Sequence, residues 1–299
     1  MIMQTNEFEA ALAEAAGFVE ASLDALLPQP VGPEARLLEA MRYAALGGGK
    51  RLRGFLVLQS GKLFGVDARA LGRAAAAVEC VHAYSLVHDD LPAMDDDDLR
   101  RGRPTVHKAF DEATAILAGD ALLTLAFGLI SSPEAHGDPL VRCELVSRLA
   151  QAAGHTGMVG GQMMDIALEG QSPTAQEITR LQRMKTAALI AYSCEAGAIL
   201  GNASQPSRNA LAGYGQELGL AFQIADDLLD EEGEAAETGK AVRKDATRGK
   251  PTMVSILGVE RARAQARALA QQAAGHLDLF GEKADLLRAA AGFVVGRRA

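Results

Sequence analysis

The chain has 299 residues, 48% of them hydrophobic but only 4% aromatic and none Trp, so its core must be built mainly from Ala, Leu, Val and Ile, which suits closely packed helices. The net charge of -8, with no basic stripe, argues against a nucleic-acid partner; it does not exclude a small polyanion, because a bound cation reverses the sign locally. Cys80, Cys143 and Cys194 are odd in number, far apart and not in metal-type pairs, and they read as buried small apolar residues in a reducing cytoplasm.

Periodic apolar stripes recur from end to end and alternating strand patterns are missing, so the expected architecture is all-α, a single domain over residues 1–299. The first ten residues lack a basic segment followed by an apolar one, so no signal peptide is expected. No stretch reaches the ~20 apolar residues of a membrane span, Ala113–Ile130 being interrupted by Asp120.

The first helix is predicted over Glu7–Leu27, then a loop over Pro28–Pro33 and a second helix over Glu34–Leu46. Gly47, Gly48 and Gly49 stop that helix and place Lys50, Arg51 and Arg53 near the start of the next, Phe55–Leu63. A phosphate-binding P-loop is excluded, since its first Gly falls on Ala44 and neither Ser nor Thr follows Lys50.

A long helix is predicted over Ala68–Leu91, with Ala74–Ala77, Val81, Leu86 and Val87 inward and with Asp89 and Asp90 at its end. On a straight helix Asp89 and Asp95 would point about 240° apart, but Pro92 lets the chain turn back toward Asp89. His82 lies seven residues before Asp89 on the same face. The run Asp95–Asp98 passes at once into Arg100, Arg101 and Arg103. Arginines beside carboxylates would merely neutralise them unless a divalent cation sits on the acids and a polyanion lies between cation and guanidinium groups, which is the chemistry of magnesium diphosphate. An EF-hand fails, because its alternating oxygen positions, central Gly and terminal Glu are absent.

Further helices are predicted over Thr105–Ile130, Pro139–Leu168 with Gly160, Gly161 and Gln162 inside it, Thr174–Leu200 with Lys185 and Thr186 among apolar neighbours, and Ala210–Asp230. On the last, Gln223, Asp226, Asp227 and Asp230 fall within an arc of roughly 100°. These carboxylates repel one another, so a cation or a buried network must offset them. Residues 231–251, rich in charge and Gly and containing Lys240, read as a flap; helices over Thr252–Ala274 and Lys283–Val295 follow. The two Asp-rich helices, facing each other across a bundle, would enclose a cavity with metal at its mouth.

The chain resembles the short-chain trans-isoprenyl diphosphate synthases, most closely those of bacterial farnesyl type. The resemblance rests on Asp89-Asp90-(four residues)-Asp95, Asp226-Asp227-(two residues)-Asp230, Gly48–Arg53, Leu99–Gly102, Gly160–Gln162, Lys185-Thr186, Phe222-Gln223 and Gly239-Lys240, in the family's order. It implies condensation of isopentenyl diphosphate with dimethylallyl or geranyl diphosphate to (2E,6E)-farnesyl diphosphate, with Mg²⁺, in a cytoplasmic homodimer. Asp89, Asp95 and Asp226 are the expected direct metal ligands, with Asp90, Asp227 and Asp230 orienting waters and partners. Arg100, Lys185 and Lys240 are expected on the allylic diphosphate, and Lys50, Arg53, His82 and Arg101 on isopentenyl diphosphate. Thr186 and Gln223 present oxygens to the developing carbocation.

Tyr84 lies about 7.5 Å deeper than Asp89 along the helix; the resemblance implies that an aromatic there, with the two-residue-longer first motif seen here, goes with a fifteen-carbon product. Three departures from the family pattern stand out: Gly54 for a Pro, which is expected to loosen that helix start, Ala187 for a Gly, and Arg243 for a Gly. Geranyl or geranylgeranyl synthesis, terpene cyclisation, a noncatalytic prenyl-diphosphate-binding subunit and a calcium-binding structural protein stand as alternatives.

Overall fold

The structure, a computed structural model, describes residues 5–232 and 251–296. Lys240 and Arg243, and with them most of the expected flap, lie outside the described residues.

Helices α1 (Thr5–Leu26), α2 (Ala35–Ala45), α3 (Leu52–Lys62) and α4 (Ala68–Asp89) lead to a short hairpin, followed by α5 (Val106–Ala109), α6 (Glu112–Ser131), α7 (Pro139–Ala153) and α8 (Met158–Leu168). Then come α9 (Ala175–Gln182), a π-helical turn (Arg183–Ala187), α10 (Ala188–Leu200), α11 (Gln205–Glu232), α12 (Met253–Leu257), α13 (Val259–Gly275) and, after a 3₁₀ turn, α14 (Asp285–Gly296).

Every residue of α3 from Gly54 to Gly61 is buried, and nearly all of α10 is. A helix apolar all round belongs in the middle of a bundle, and α3 and α10 do pack on each other, with α4 beside α3 and α11 beside α10. The core is aliphatic and small, as the composition implied: Ala74–Ala77 of α4 are within 1% of full burial. A second apolar cluster, Ile178, Ile224, Leu228, Met253, Val254, Ala262 and Ala266, ties α9 and the C-terminal half of α11 to α12 and α13.

Helix starts follow local chemistry. Asp67 accepts from the Arg69 and Ala70 N–H groups, Asp111 from Thr114 N–H, and Asp138 from Leu140 N–H with Pro139 at the first helical position. Thr174 and Glu177 form a reciprocal capping box at α9.

Several expected elements are broken where the sequence reading ran them together. The block Thr105–Ile130 is α5 and α6, parted where Asp111 becomes an N-cap. Pro139–Leu168 is interrupted at Gly154–Gly157, so Gly160 and Gly161 sit in the first turn of α8 rather than mid-helix. Thr252–Ala274 divides at Gly258, whose φ of 78° no helix continues through. Cys143 is exposed on the outward side of α7, whereas Cys80 and Cys194 are buried as expected.

The hairpin was not foreseen. Leu99 pairs with Pro104 and Arg100 with Arg103, and the two turn residues, Arg101 and Gly102, have φ of 53° and 74°. Positive φ at both positions is the type I′ arrangement that suits a two-residue hairpin. Arg-Gly is a weaker signal for it than Asn-Gly or Asp-Gly.

Candidate active site

The last turn of α4 delivers Asp89 and Asp90, and the chain then folds back over them. Asp95 N–H donates to Asp89 O at 2.8 Å and Asp97 N–H to Asp90 O at 3.1 Å, so the chain does turn at Pro92 and brings Asp95 beside Asp89. Burial pushes the Asp89 carboxyl up to about 6; Lys185 opposes this and Asp95 adds to it. Asp90 is 3% exposed and held by Arg100, whose Nε donates to both carboxylate oxygens at 2.9 Å and whose Nη2 lies 2.5 Å from Oδ1.

The second Asp-rich motif, Asp226, Asp227 and Asp230, lies on α11. Burial lowers the Arg53 guanidinium, opposed first by the Glu79 charge and then by that of Asp226. Asp227, 7% exposed, accepts from Gln182 Nε2 at 3.1 Å and from Gln223 Nε2 at 2.9 Å. Gln223 Oε1 in turn accepts from the Thr186 hydroxyl at 2.8 Å.

Thr186 and Lys185 belong to the π-turn, where Ala188 N–H reaches back five residues to Arg183 O. Such bulges often mark functional positions, because the extra residue re-aims the side chains. The turn is wedged between two glycines: a Cβ on Gly161 of α8 would lie 2.2 Å from Lys185 N, and one on Gly219 of α11 would lie 2.4 Å from Ala187 Cα. Ala187, the departure from Gly, is fully buried and fits because Gly219 faces it. The Lys185 ammonium is 2.5 Å from Asp165.

A basic group closes the ring. Burial holds His82 well below the usual histidine range, reinforced by Arg53, Arg101, Arg100 and Arg51, so the ring is neutral at neutral pH. The Arg101 side chain donates to Gly48 O, and a Cβ on Gly49 would strike its guanidinium at 2.6 Å. Arg53 Nε is buried without a hydrogen-bond partner among the described residues. A guanidinium left in that state fits an absent anion, since buried donors are ordinarily paired. Lys50 lies 5.3 Å from the centre of the Phe293 ring.

Electrostatic neighbours and hydrogen bonds therefore link these residues in one connected set: Asp226 with Arg53, Arg53 and Arg100 with His82, Arg100 and Lys185 with Asp89, and Thr186, next to Lys185, through Gln223 to Asp227. Tyr84 lies beside it on α4, 6% exposed, with its ring 5.8 Å from that of His88. Burial, and then the Asp89 charge, push its phenol up to about 12.

Sequence reasoning passed over three supports. Arg51, buried with a φ of 47°, bonds Glu20 at 2.6 Å and reaches Glu79 at 3.3 Å. Glu79 also accepts from Gly54 N–H at 2.9 Å. A proline at position 54 has no such N–H, so Gly54, expected to loosen the start of α3, anchors it instead. Gln182, the third, carries no motif signal. On the outer side of the first wall, ligand atoms of Asp96, Asp98 and His107 lie within 4.8 Å of one another, with Asp98 paired to Lys108 at 2.9 Å; none of these was an expected ligand.

Residues 34–288 match the family model described as polyprenyl synthetase. The chain belongs to the polyprenyl synthetase family. It is 46% identical to the farnesyl diphosphate synthase of Escherichia coli K12 over 268 residues, covering 87% of this chain and 89% of that one. It is 45% identical to the farnesyl diphosphate synthase of Geobacillus stearothermophilus, covering 82% of each. Among solved structures, an FPP/GFPP synthase from Zymomonas mobilis superposes with a TM-score of 0.88 at 48% identity, covering 98% of this chain and 100% of that one. As a family member the chain is a trans-prenyltransferase of the short-chain isoprenyl diphosphate synthase type, with the all-α fold read from its sequence.

Proposed function

We propose that this family member condenses isopentenyl diphosphate with dimethylallyl or geranyl diphosphate to give (2E,6E)-farnesyl diphosphate. The observation that carries the reading is this connected set, which links carboxylates of both Asp-rich helices to a basic group in which Arg53 Nε is buried without a hydrogen-bond partner among the described residues.

The acidic walls fit Mg²⁺. A half-buried carboxyl pushed up to about 6 beside a second carboxylate is an unfavourable arrangement that a hard divalent cation relieves. Asp89, Asp95 and Asp226 would hold it, with Asp230 reached through waters. Bound Mg²⁺ supplies Lewis-acid neutralisation of the departing diphosphate.

The chain's own groups do the rest. Asp90, by gripping Arg100 at both oxygens, aims the remaining guanidinium face at the allylic diphosphate, and Lys185 sits opposite, oriented by Asp165. Lys50, Arg53, Arg101 and neutral His82 receive isopentenyl diphosphate, and Lys240 completes the allylic grip. The Thr186 proton is committed to Gln223, so both oxygens turn lone pairs toward a developing cation. Isopentenyl carbon attack, with proton loss to the released diphosphate, completes one elongation. Tyr84 blocks further chain growth as the floor.

Self-association as a cytoplasmic homodimer is part of the proposal. Contrary to the sequence reading of Ala113–Ile130, α6 is long and apolar enough by length and composition to cross a membrane, the one such helix among the described residues, Asp120 notwithstanding; it packs along α4 and α2, and its Ile116 and Leu117 face outward at 45% and 56% exposure. A partner subunit covering these side chains would bury them.

The test is incubation of the purified protein with isopentenyl diphosphate and either allylic starter, with and without a chelator, and sorting of products by chain length. A fifteen-carbon product that requires Mg²⁺ supports the reading. A ten- or twenty-carbon product replaces it, and binding without turnover makes the chain a prenyl-diphosphate carrier.

A further inference from the structure

His88 lies on α4 four residues after Tyr84, half-buried. Its ring meets that of Tyr84 in a T-shaped contact, with centroids 5.8 Å apart and planes at 81°. Residues four apart are neighbours on a helix surface, and helical side chains lean toward the N-terminus, so His88 lies back over the turn that carries Tyr84. The imidazole is also seated in α6. His88 Nε2–H donates to Ile116 O at 3.0 Å, a carbonyl being able only to accept. A Cβ on Gly119 would lie 2.1 Å from that nitrogen and 2.4 Å from Cδ2. Gly119 is buried, so its missing side chain is the notch that admits the ring.

This seat constrains Tyr84, which is 6% exposed. A tyrosine ring moves by changing between a few staggered placements, and a prenyl chain pressing on it drives it toward whichever placement is open. An edge-to-face neighbour favours one placement by up to about tenfold, but only if the neighbour itself stays put. His88 cannot yield toward α6, where the Gly119 backbone and the Ile116 carbonyl already bound it. The limit on chain growth then belongs to Tyr84 together with the seam between α4 and α6, not to the tyrosine alone.

We propose that His88 is a specificity-determining residue for product length, bracing the Tyr84 ring against the growing prenyl chain from a seat formed by Gly119 and Ile116 of α6. This rests on the prenyltransferase reading above and on Tyr84 as its floor.

The test uses full-length protein with isopentenyl and geranyl diphosphates, and the same protein labelled with 3-fluorotyrosine. Its four tyrosines give separate ¹⁹F resonances, that of Tyr84 being assigned by its loss in Tyr84→Phe. His88→Ala should raise the ratio of longer chains to fifteen-carbon product by about tenfold, the size of a lost edge-to-face preference, and should shift or broaden the Tyr84 resonance. In a Tyr84→Ala background the same change should alter that ratio by less than about twofold, because coupled residues are non-additive. His88→Gln, close in volume and with an amide N–H for Ile116 O, should bring the ratio back to within about threefold of wild type. The Mg²⁺ concentration for half-maximal rate should be unmoved in His88→Ala, which separates bracing of Tyr84 from disturbance of the adjacent Asp89. Wild-type products, an unchanged Tyr84 resonance or a raised Mg²⁺ requirement in His88→Ala overturns the proposal. Should His88→Ala not fold, Gly119→Ala serves: its Cβ displaces the imidazole while leaving His88 and Tyr84 in the chain, so the same ratio and resonance should change, and an unchanged pair overturns the idea. If wild type transfers no prenyl group, or Tyr84→Ala leaves its products unaltered, the functional reading or its floor fails on its own, and the fluorine resonance still decides whether His88 holds the ring.

Discussion

Asp89 and Asp227 are both carboxylates of the Asp-rich motifs on long helices, yet they are held by opposite means. Asp89 is half-buried with Asp95 as a neighbour, and desolvation pushes its carboxyl up to about 6; Asp227 has an amide donor on each oxygen. The first wall keeps a carboxylate poorly satisfied, which is the condition for capturing a cation. The second spends its middle aspartate on organising glutamines and leaves Asp226 and Asp230 to look elsewhere. Motif spacing treats the aspartates of each wall alike, whereas their surroundings do not.

The comparison breaks most sharply under substitution. Asp89→Asn and Asp226→Asn should each lower kcat by about 10²–10³ and raise the Mg²⁺ concentration needed for half-maximal rate, read from initial rates across a Mg²⁺ series. Asp227→Asn should lower kcat with the Mg²⁺ requirement unmoved. A shift of that requirement in Asp227→Asn equal to that in Asp89→Asn would erase the distinction between the walls.

Tyr84→Ala removes the floor next to the first wall and should shift the products from fifteen carbons to longer chains, read by chromatography. An unaltered distribution places the limit on chain length elsewhere.

The stability of the metal-free protein sharpens the contrast. Because the folded-state value of Asp89, about 6, lies above the ordinary aspartate value, its contribution to stability is present below about pH 4 and is lost as pH rises through 6. Asp89→Asn should therefore match wild type near pH 4 and exceed it by about 1–3 kcal/mol at pH 7 in denaturant unfolding without Mg²⁺. Equal stabilities at pH 7 would mean that the carboxylate is better satisfied than its surroundings imply.

Gly161→Ala probes the packing beside the second wall. Its Cβ would sit 2.2 Å from Lys185 N, so overpacking should cost about 1–2 kcal/mol, measured by thermal unfolding, with a fall in kcat as Lys185 and Thr186 shift. A stable variant with wild-type rate would show that the π-turn tolerates movement.

Much of this was legible in the chain. Stripes of Ala, Leu and Val with a 3.6 period predicted the helices, and Pro92 predicted the turn that brings Asp95 N–H onto Asp89 O. Breaks inside long periodic runs were not legible: Gly154, Gly258 and the Asp111 cap interrupt runs whose apolar pattern continues on either side. The type I′ hairpin escaped because Arg at positive φ is an uncommon choice, accepted here where the Arg101 side chain bonds Gly48 O.

By itself, then, the sequence determined the class of fold, the helix faces that carry the carboxylates, and the order of acid and base along the chain, because these depend on periodicity and nearest neighbours. Tertiary structure alone decided which aspartate is left wanting a cation, which is tied to Arg100 or to glutamines, and that Gly54 can serve Glu79 where a proline could not. Those outcomes depend on burial and on partners from other helices, and a residue with no motif of its own, such as Gln182, acquires its meaning only when the helix holding it meets α11.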